Sequence, residues 1–277
     1  MKLGIFAKTF AGTDPMSVLA AAAEAGFSCA QYNMACSGLP AMPDAISNVD
    51  ARAVANAAAA TGVGIAAVSG TYNMIHPDAA MRLAGHRRLA VLAERCAAMS
   101  TGLITLCTGT RDPDDQWREH PDNDTPEAWR DLLDSMAAAL GIAEQYDVDL
   151  GIEPELANVV NSAEKAHRLI GEMQSPRLRI VIDPANLFER AAPEEQRRIV
   201  ASAIDLLADR IVMAHAKDRN PDGSFATAGK GVLDYAHYLG RLQAIGFGGS
   251  LVTHGLSAAE AAGVAEFLRE CLGGDAA

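Results

Sequence analysis

The chain is short of positive charge, of aromatic residues and of paired cysteines. Against 35 Asp+Glu it carries only 23 Lys+Arg, a formal charge of −12. A field of that sign repels phosphate backbones and anionic bilayers, so neither nucleic acid nor a membrane is an expected partner. The five cysteines, Cys29, Cys36, Cys96, Cys107 and Cys271, are odd in number and never spaced C-x-x-C. Neither a disulfide framework nor a zinc knuckle is indicated, and buried reduced thiols are expected at Cys29 and Cys107. No window approaches a membrane-spanning run of about eighteen apolar residues, because Glu24, Arg52 and Asn56 interrupt the alanine tracts. The opening Met1–Phe6 run is too short for a signal-peptide core before Lys8, so a cytoplasmic location is expected. No segment rich in Pro, Gly or Ser divides the 277 residues, which favours one domain over 1–277.

What is present is alternation. Short apolar runs near 2–7, 27–32, 63–68, 102–107, 148–153, 178–183, 210–215 and 249–254 read as strands. Between them, alanine-rich amphipathic stretches near 14–25, 48–61, 78–99, 126–146, 161–173, 193–208, 232–245 and 257–272 read as helices. Asp14-Pro15 and Thr125-Pro126 supply a cap before a first-turn proline, and Ser257 with Glu260 forms a capping-box pattern. Gly26, Gly62, Gly102 and Gly246 stand where helices should stop in a left-handed turn. Strict strand–helix alternation implies parallel strands with right-handed crossovers. Eight repeats match an α/β fold of the single (β/α)8 TIM-barrel type, usually about 250 residues long. The rival doubly wound sheet would carry G-x-G-x-x-G after the first strand, where this chain reads AKTFAG.

In such a barrel, chemistry gathers at the carboxyl ends of the strands. Strands five to eight end in Glu153, Asp183, His215 and His254. Two carboxylates buried beside two imidazoles are costly unless paired, protonated or coordinated, and one divalent cation would relieve that cost. Oxygen and nitrogen donors without thiolate suit Mn, Mg, Co or Zn. Taken singly, each residue has a plainer reading, as a helix cap or a packed core histidine. Above His215, Lys217 is placed to stabilise a developing oxyanion and Asp218 to orient it; a surface ion pair is the plainer alternative. The long polar connection GTRDPDDQWREHPDND holds Trp117, which could cover a sugar ring, and Arg118, which could reach hydroxyls or a carboxylate. An oligomer contact would use the same residues. Tyr72, Asn73 and His76 follow the third strand, Gln31, Tyr32 and Asn33 end the second, and Lys8 and Thr9 follow the first; these groups suit a polyhydroxylated ligand.

The segments GIEPE, VIDPANL, VMAHAKD, GKGVLDY and GFGGSLVTHGL resemble the xylose-isomerase-like TIM-barrel superfamily of sugar isomerases, epimerases and inosose dehydratases, in strand order over nearly the whole chain. The resemblance implies one divalent metal held by a Glu, an Asp, a His and a Glu on strands five to eight. By position these are Glu153, Asp183, His215 and, in place of the last Glu, His254. The histidine often found three residues beyond the strand-six aspartate is here Asn186, carried over as a substrate contact. With His254 the symmetric two-glutamate proton exchange of the epimerases is in doubt; the imidazole can serve as a ligand or as a base.

The expected activity is isomerisation or epimerisation of a ketose or polyol through proton abstraction beside a carbonyl, with Glu153, His254 and Lys217 as catalytic groups. A keto-sugar dehydratase or lyase and a non-catalytic sugar-binding barrel are the alternatives. The expected partner is a small sugar or polyol, and a homo-oligomer is left open. Cleavage of DNA at abasic sites, known among relatives of the superfamily, fits neither the charge of −12 nor the small number of further His and Glu ligands.

Overall fold

The computed structural model describes residues 1–273. Its strands are β1 (Lys2–Phe6), β2 (Cys29–Tyr32), β3 (Gly64–Ser69), β4 (Leu103–Leu106), β5 (Asp149–Ile152), β6 (Leu178–Ile182), β7 (Ile211–Ala216), a short pair β8 (Asp218–Arg219) and β9 (Phe225–Ala226), and β10 (Ser250–Thr253). The eight longer strands close into a parallel barrel in the order β1-β10-β7-β6-β5-β4-β3-β2. The fold is therefore a (β/α)8 TIM barrel. Its helices are α1 (Pro15–Glu24), α2 (Asn48–Thr61), α3 (Ala79–Cys96), α4 (Pro126–Tyr146), α5 (Ala163–Met173), α6 (Pro193–Leu207), α7 (Tyr235–Ala244) and α8 (Ala261–Cys271).

Local chemistry sets the helix ends. The Asp14 and Thr125 side chains accept from the backbone N–H of Ser17 and Ala128, each before a first-turn proline. The Ser257–Glu260 box forms, although it opens a 3-10 turn, Ala258–Glu260, that leads into α8. The stop after α3 corrects the sequence reading: Ser100 takes the left-handed conformation at φ 63°, leaving Gly102 to enter β4. α4 shows why these segments dock. Trp129, Leu132, Met136, Ala139, Leu140 and Ala143 recur three or four apart and are all buried, so one stripe of the helix lies on the sheet.

The barrel interior is filled rather than hollow. Ala67, Val181, Met213 and Val252 form a small cluster inside the ring. Gly151 on β5 makes room for it, since a Cβ there would stand 2.9 Å from Val181 Cγ2. This plug fills the lower barrel beneath the polar side chains of its carboxyl end. The β8–β9 hairpin, absent from the sequence reading, folds back after β7 and brings Phe225 to that same end. All five cysteines are unpaired, and four of them are buried. Among the described residues no helix is long and apolar enough to cross a membrane.

Candidate metal centre and active site

Glu153 and Asp183 stand one residue beyond β5 and β6, His215 is the penultimate residue of β7, and His254 follows β10. Those four strands are consecutive in the barrel, so their ends meet. One donor atom from each residue lies within 4.8 Å of all the others. His215 Nδ1 is 3.3 Å from Glu153 Oε1 and 3.9 Å from Asp183 Oδ2, while His254 Nε2 is 3.0 Å from Asp183 Oδ2.

Hydrogen bonding fixes each donor. A carboxylate can only accept, so His254 turns its Nε2–H toward Asp183. The other Asp183 oxygen accepts from the Ala185 N–H at 2.9 Å, inside the 3-10 turn of the DPAN sequence. His215 Nε2 pairs with Gln31 Oε1 at 2.9 Å, and the orientation of the Gln31 amide is set by its Nε2 donating to Thr105 Oγ1. Nδ1 of His215 is thereby the nitrogen left for the cluster. Asn186 Nδ2 donates to Glu153 Oε1 at 2.8 Å. Behind the ring, the Tyr238 hydroxyl donates to the backbone carbonyl of His215 and steadies the strand end.

Electrostatics couples the four groups of the cluster. Burial works against ionisation of Asp183, but the hydrogen bond and charge of His254, with Lys217 and His215 nearby, hold its carboxyl well below the usual range. Burial also opposes protonation of His215; the Glu153 carboxylate and Asp183 outweigh it and raise the imidazole. His254 is lowered, first by burial and then by His215. The negative charge that raises His215 would equally favour a cation at this point. Two carboxylates, two imidazoles and no thiolate fit a hard or borderline divalent ion. Glu153, Asp183, His215 and His254 are the residues that could hold it.

Glu153, His215 and His254 of the cluster form the floor of a cavity of about 700 Å³, with Asp183 fully buried among them. Lys217, Asn186 and Trp117 line it, as do Lys8, Gln31 and Asn33. Lys217 Nζ lies 3.2 Å from the centroid of the Phe225 ring, and Trp117 stands half exposed at the rim. Other sequence candidates lie elsewhere. Asp218 is turned away and buried, with its two oxygens accepting from the backbone N–H of Arg219, Gly229, Gly231 and Leu233; it ties down the 229–233 loop, and is neither a cavity group nor a surface ion pair. Arg118 reaches back to Asp112 Oδ2 at 3.0 Å and braces its own loop. Tyr72 and His76 line a neighbouring hollow rather than the cavity.

Several wall residues escaped the sequence reading, Glu155, Arg219 and Phe225 among them. Glu155 lines the cavity, and its carboxyl is pushed up to about 9 by burial and by the neighbouring Glu153 carboxylate. The motif held the signal, because residues two apart on an extended segment share a side. Arg219 and Phe225 arrive through the hairpin, with the guanidinium carbon 4.2 Å from the ring centroid. A two-residue strand leaves no periodicity to read.

The profile of the xylose isomerase-like TIM barrel family matches residues 19–271. The chain belongs to this family. No curated protein matches it significantly by sequence. Solved structures similar to it include the 3-keto-D-glucoside 4-epimerase YcjR from E. coli (18% identity, TM-score 0.77, 98% of this chain and 100% of that one). D-psicose 3-epimerase from Clostridium cellulolyticum H10, solved with D-tagatose, is 17% identical at TM-score 0.76, covering 98% and 99%. An L-ribulose 3-epimerase is 18% identical at TM-score 0.77, covering 98% and 94%. At these identities the likeness is one of fold, and the reaction has to be argued from the site.

Proposed function

We propose that this member of the xylose isomerase-like family is a divalent-metal-dependent isomerase or epimerase that moves the proton beside the carbonyl of a ketose or related polyol. The observation that carries the reading is the convergence of Glu153, Asp183, His215 and His254 donor atoms within 4.8 Å at the base of a cavity. The activities of the three solved relatives, all epimerases of sugars, support it.

Bound by these four residues, a divalent ion would supply Lewis-acid polarisation of a carbonyl and charge stabilisation for an enediolate. Glu153 takes the α proton on Oε1 or Oε2, with Asn186 and His215 fixing its plane. Lys217, aimed into the cavity, faces the developing oxygen charge. On the β10 side His254, lowered by burial and by His215, is held neutral, and its imidazole serves either as a ligand to the ion or as a base. Trp117 covers the open rim and limits access of water. The ligand is a small sugar or polyol.

A lyase or dehydratase is the second reading, favoured by one observation: the one glutamate of the cluster, Glu153, faces an imidazole where two glutamates would make the exchange symmetric. Incubation with a panel of ketoses in D2O and Mn2+ tests the proposal. Deuterium should enter the carbon beside the carbonyl, with product mass conserved for an isomerase and lower by one water for a lyase. Asp183→Ala should abolish both metal retention and exchange while leaving helical circular dichroism intact; full metal occupancy in that variant would reject the assignment.

A further inference from the structure

From the end of β7 the chain reads AKDRNPDGSFATAGKG, in which the turn NPDG folds β9 back against β8. Gly223 takes the left-handed conformation at φ 89°, and its N–H closes the turn on the Asn220 carbonyl. The register of the hairpin sets Phe225 opposite Arg219. Lys217 and Arg219 are two apart on an extended segment and so share a side. Both meet the Phe225 ring: Lys217 Nζ lies 3.2 Å and the Arg219 guanidinium carbon 4.2 Å from its centroid. All three residues line the main cavity.

Two cations at one wall call for a counter-charge, and no side chain of the protein brings one to bonding distance. Elsewhere the cations of this chain find carboxylates, as in Arg111–Asp131, Lys165–Asp124 and Lys230–Glu260. Arg219 is only 6% exposed, yet its partners are the carbonyls of Ala185 and Gly223, bonded through Nε and Nη1, and the Phe225 ring. Among the described residues its Nη2 has no acceptor and neither Arg219 nor Lys217 forms an ion pair. Asp183 and Glu189 favour the charge of Arg219 from farther off, by less than burial opposes it. Asp218, between the two cations in sequence, spends its oxygens on the backbone N–H groups of Arg219, Gly229, Gly231 and Leu233. A buried guanidinium with no counter-ion is costly, and an arriving anion relieves that cost.

The shape of the gap selects the anion. The two cationic centres can be no farther apart than the sum of their distances to the shared ring, a span that a carboxylate covers with one hydrogen bond of about 2.8 Å at each oxygen. One ammonium and one free Nη2 serve two oxygens and leave the third oxygen of a phosphate unserved. Lys217 has three donors, so holding a carboxylate oxygen leaves others for the reacting oxygen.

We infer that Arg219 and Lys217 form an anion subsite, and that the substrate class is a keto-sugar acid whose carboxylate lies between the two cations while its carbonyl reaches the floor. This names the substrate of the site proposed above and rests on that reading for where the carbonyl goes.

The test is calorimetric titration with Mn2+ present, which needs no turnover. The probes are 5-keto-D-gluconate and L-sorbose, the same ketose with a carboxylate or a CH2OH at its far carbon. The acid is expected to bind at least about tenfold more tightly, the factor that one hydrogen bond to a desolvated cation supplies. Arg219→Gln, which keeps a donor for the Ala185 carbonyl, should lower that preference about tenfold and leave the affinity for L-sorbose little changed. Lys217→Gln, whose side chain holds no backbone group, should do the same and carries the test if Arg219→Gln fails to fold. Equal affinities for the acid and the neutral sugar would overturn the subsite. So would a preference that survives both substitutions, since the carboxylate would then be bound by Mn2+ itself. A larger gain for D-fructose 6-phosphate over D-fructose than for the acid over L-sorbose would overturn the choice of carboxylate. Absence of deuterium exchange beside an intact acid preference would reject the reaction and keep the subsite, whereas exchange into neutral ketoses with no acid preference would do the reverse.

Discussion

Replacing Glu155 by Gln should stabilise the metal-free protein, and increasingly so as the pH rises. The Glu155 carboxyl ionises near 4.5 when unperturbed and is pushed to about 9 in the folded chain by burial and by Glu153. Between those values the unfolded chain has lost a proton that the folded chain keeps, so the stability of the parent falls with pH, by about 1.36 kcal/mol per pH unit for one proton. Below pH 4.5 both states hold the proton, the cost vanishes, and parent and variant should respond to acid alike. From pH 5.5 to 7.5 the loss amounts to roughly 2.7 kcal/mol, or about 2 kcal/mol once some of the shift is assigned to the Glu153–Glu155 pair rather than to one group. Glutamine keeps the shape and carries no titrating proton, so the variant should escape this loss. For a domain of this size the difference corresponds to a rise of about 5 °C in the relative unfolding midpoint across that interval. The assay is thermal unfolding of chelator-treated parent and variant at the two pH values. Parallel pH dependences would refute the claim that Glu155 is held protonated. With Mn2+ bound, the charge of Glu153 is offset and the gap between the proteins should shrink.

Metal affinity should weaken in mild acid, because His215 is raised by Glu153 and Asp183 and must release its Nδ1 proton to coordinate; isothermal titration with Mn2+ should show Kd climbing up to about tenfold per pH unit below the raised pKa, and a flat profile from pH 7 to 5 would contradict this. Gln31→Leu leaves His215 Nε2 without its acceptor, and the affinity for Mn2+ should fall about 10–100-fold while the fold persists; unchanged affinity would show that the amide does not orient the ring. Asp218→Ala removes the acceptor for four backbone N–H groups and should cost about 3–5 kcal/mol in urea unfolding, since leaving even two of them unsatisfied costs about 1–3 kcal/mol each. A surface-like loss below about 0.5 kcal/mol would refute the clamp.

The barrel was legible because its signal is repeated eight times: each strand is a short apolar run, each helix an amphipathic one, and an error of a residue or two at one boundary leaves the alternation intact. The four floor residues were legible for a related reason, since the last residues of adjacent parallel strands must lie side by side. Legibility failed where a side chain's direction depends on its neighbours. His215, Lys217 and Asp218 follow closely along one segment, yet Asp218 faces the 229–233 loop because three N–H donors of that loop converge on it, a fact written in residues eleven to fifteen positions downstream. Arg118 follows Trp117 directly, but Asp112 draws it back while the tryptophan remains at the rim. Tyr72 left the cavity because Gly85, thirteen residues on, leaves a place for its ring against α3. In each case the deciding partner belongs to another element, and no local pattern encodes it.

His254 changes more than one ligand. With neutral imidazoles at His215 and His254, the four donors carry two negative charges, from Glu153 and Asp183, which balance a divalent ion. A glutamate at position 254 would have left the set one charge in excess, in a cavity whose wall already carries Glu155. In this chain the third carboxyl stands at Glu155, on the cavity wall, where it can stay protonated instead of competing for the ion. The proton-accepting groups are therefore unequal: a carboxylate fixed by Asn186 on the β5 side, and on the β10 side an imidazole tied to Asp183 with its pKa pressed down by burial and by His215. Two glutamates can pass a proton in either direction with similar ease. This pair favours removal at Glu153 over return from His254, so deuterium should enter the substrate chiefly on the face that Glu153 presents. Restoring the symmetry with His254→Glu should equalise labelling of the two faces, whereas unchanged facial selectivity in that variant would mean that the imidazole takes no part in the proton transfer.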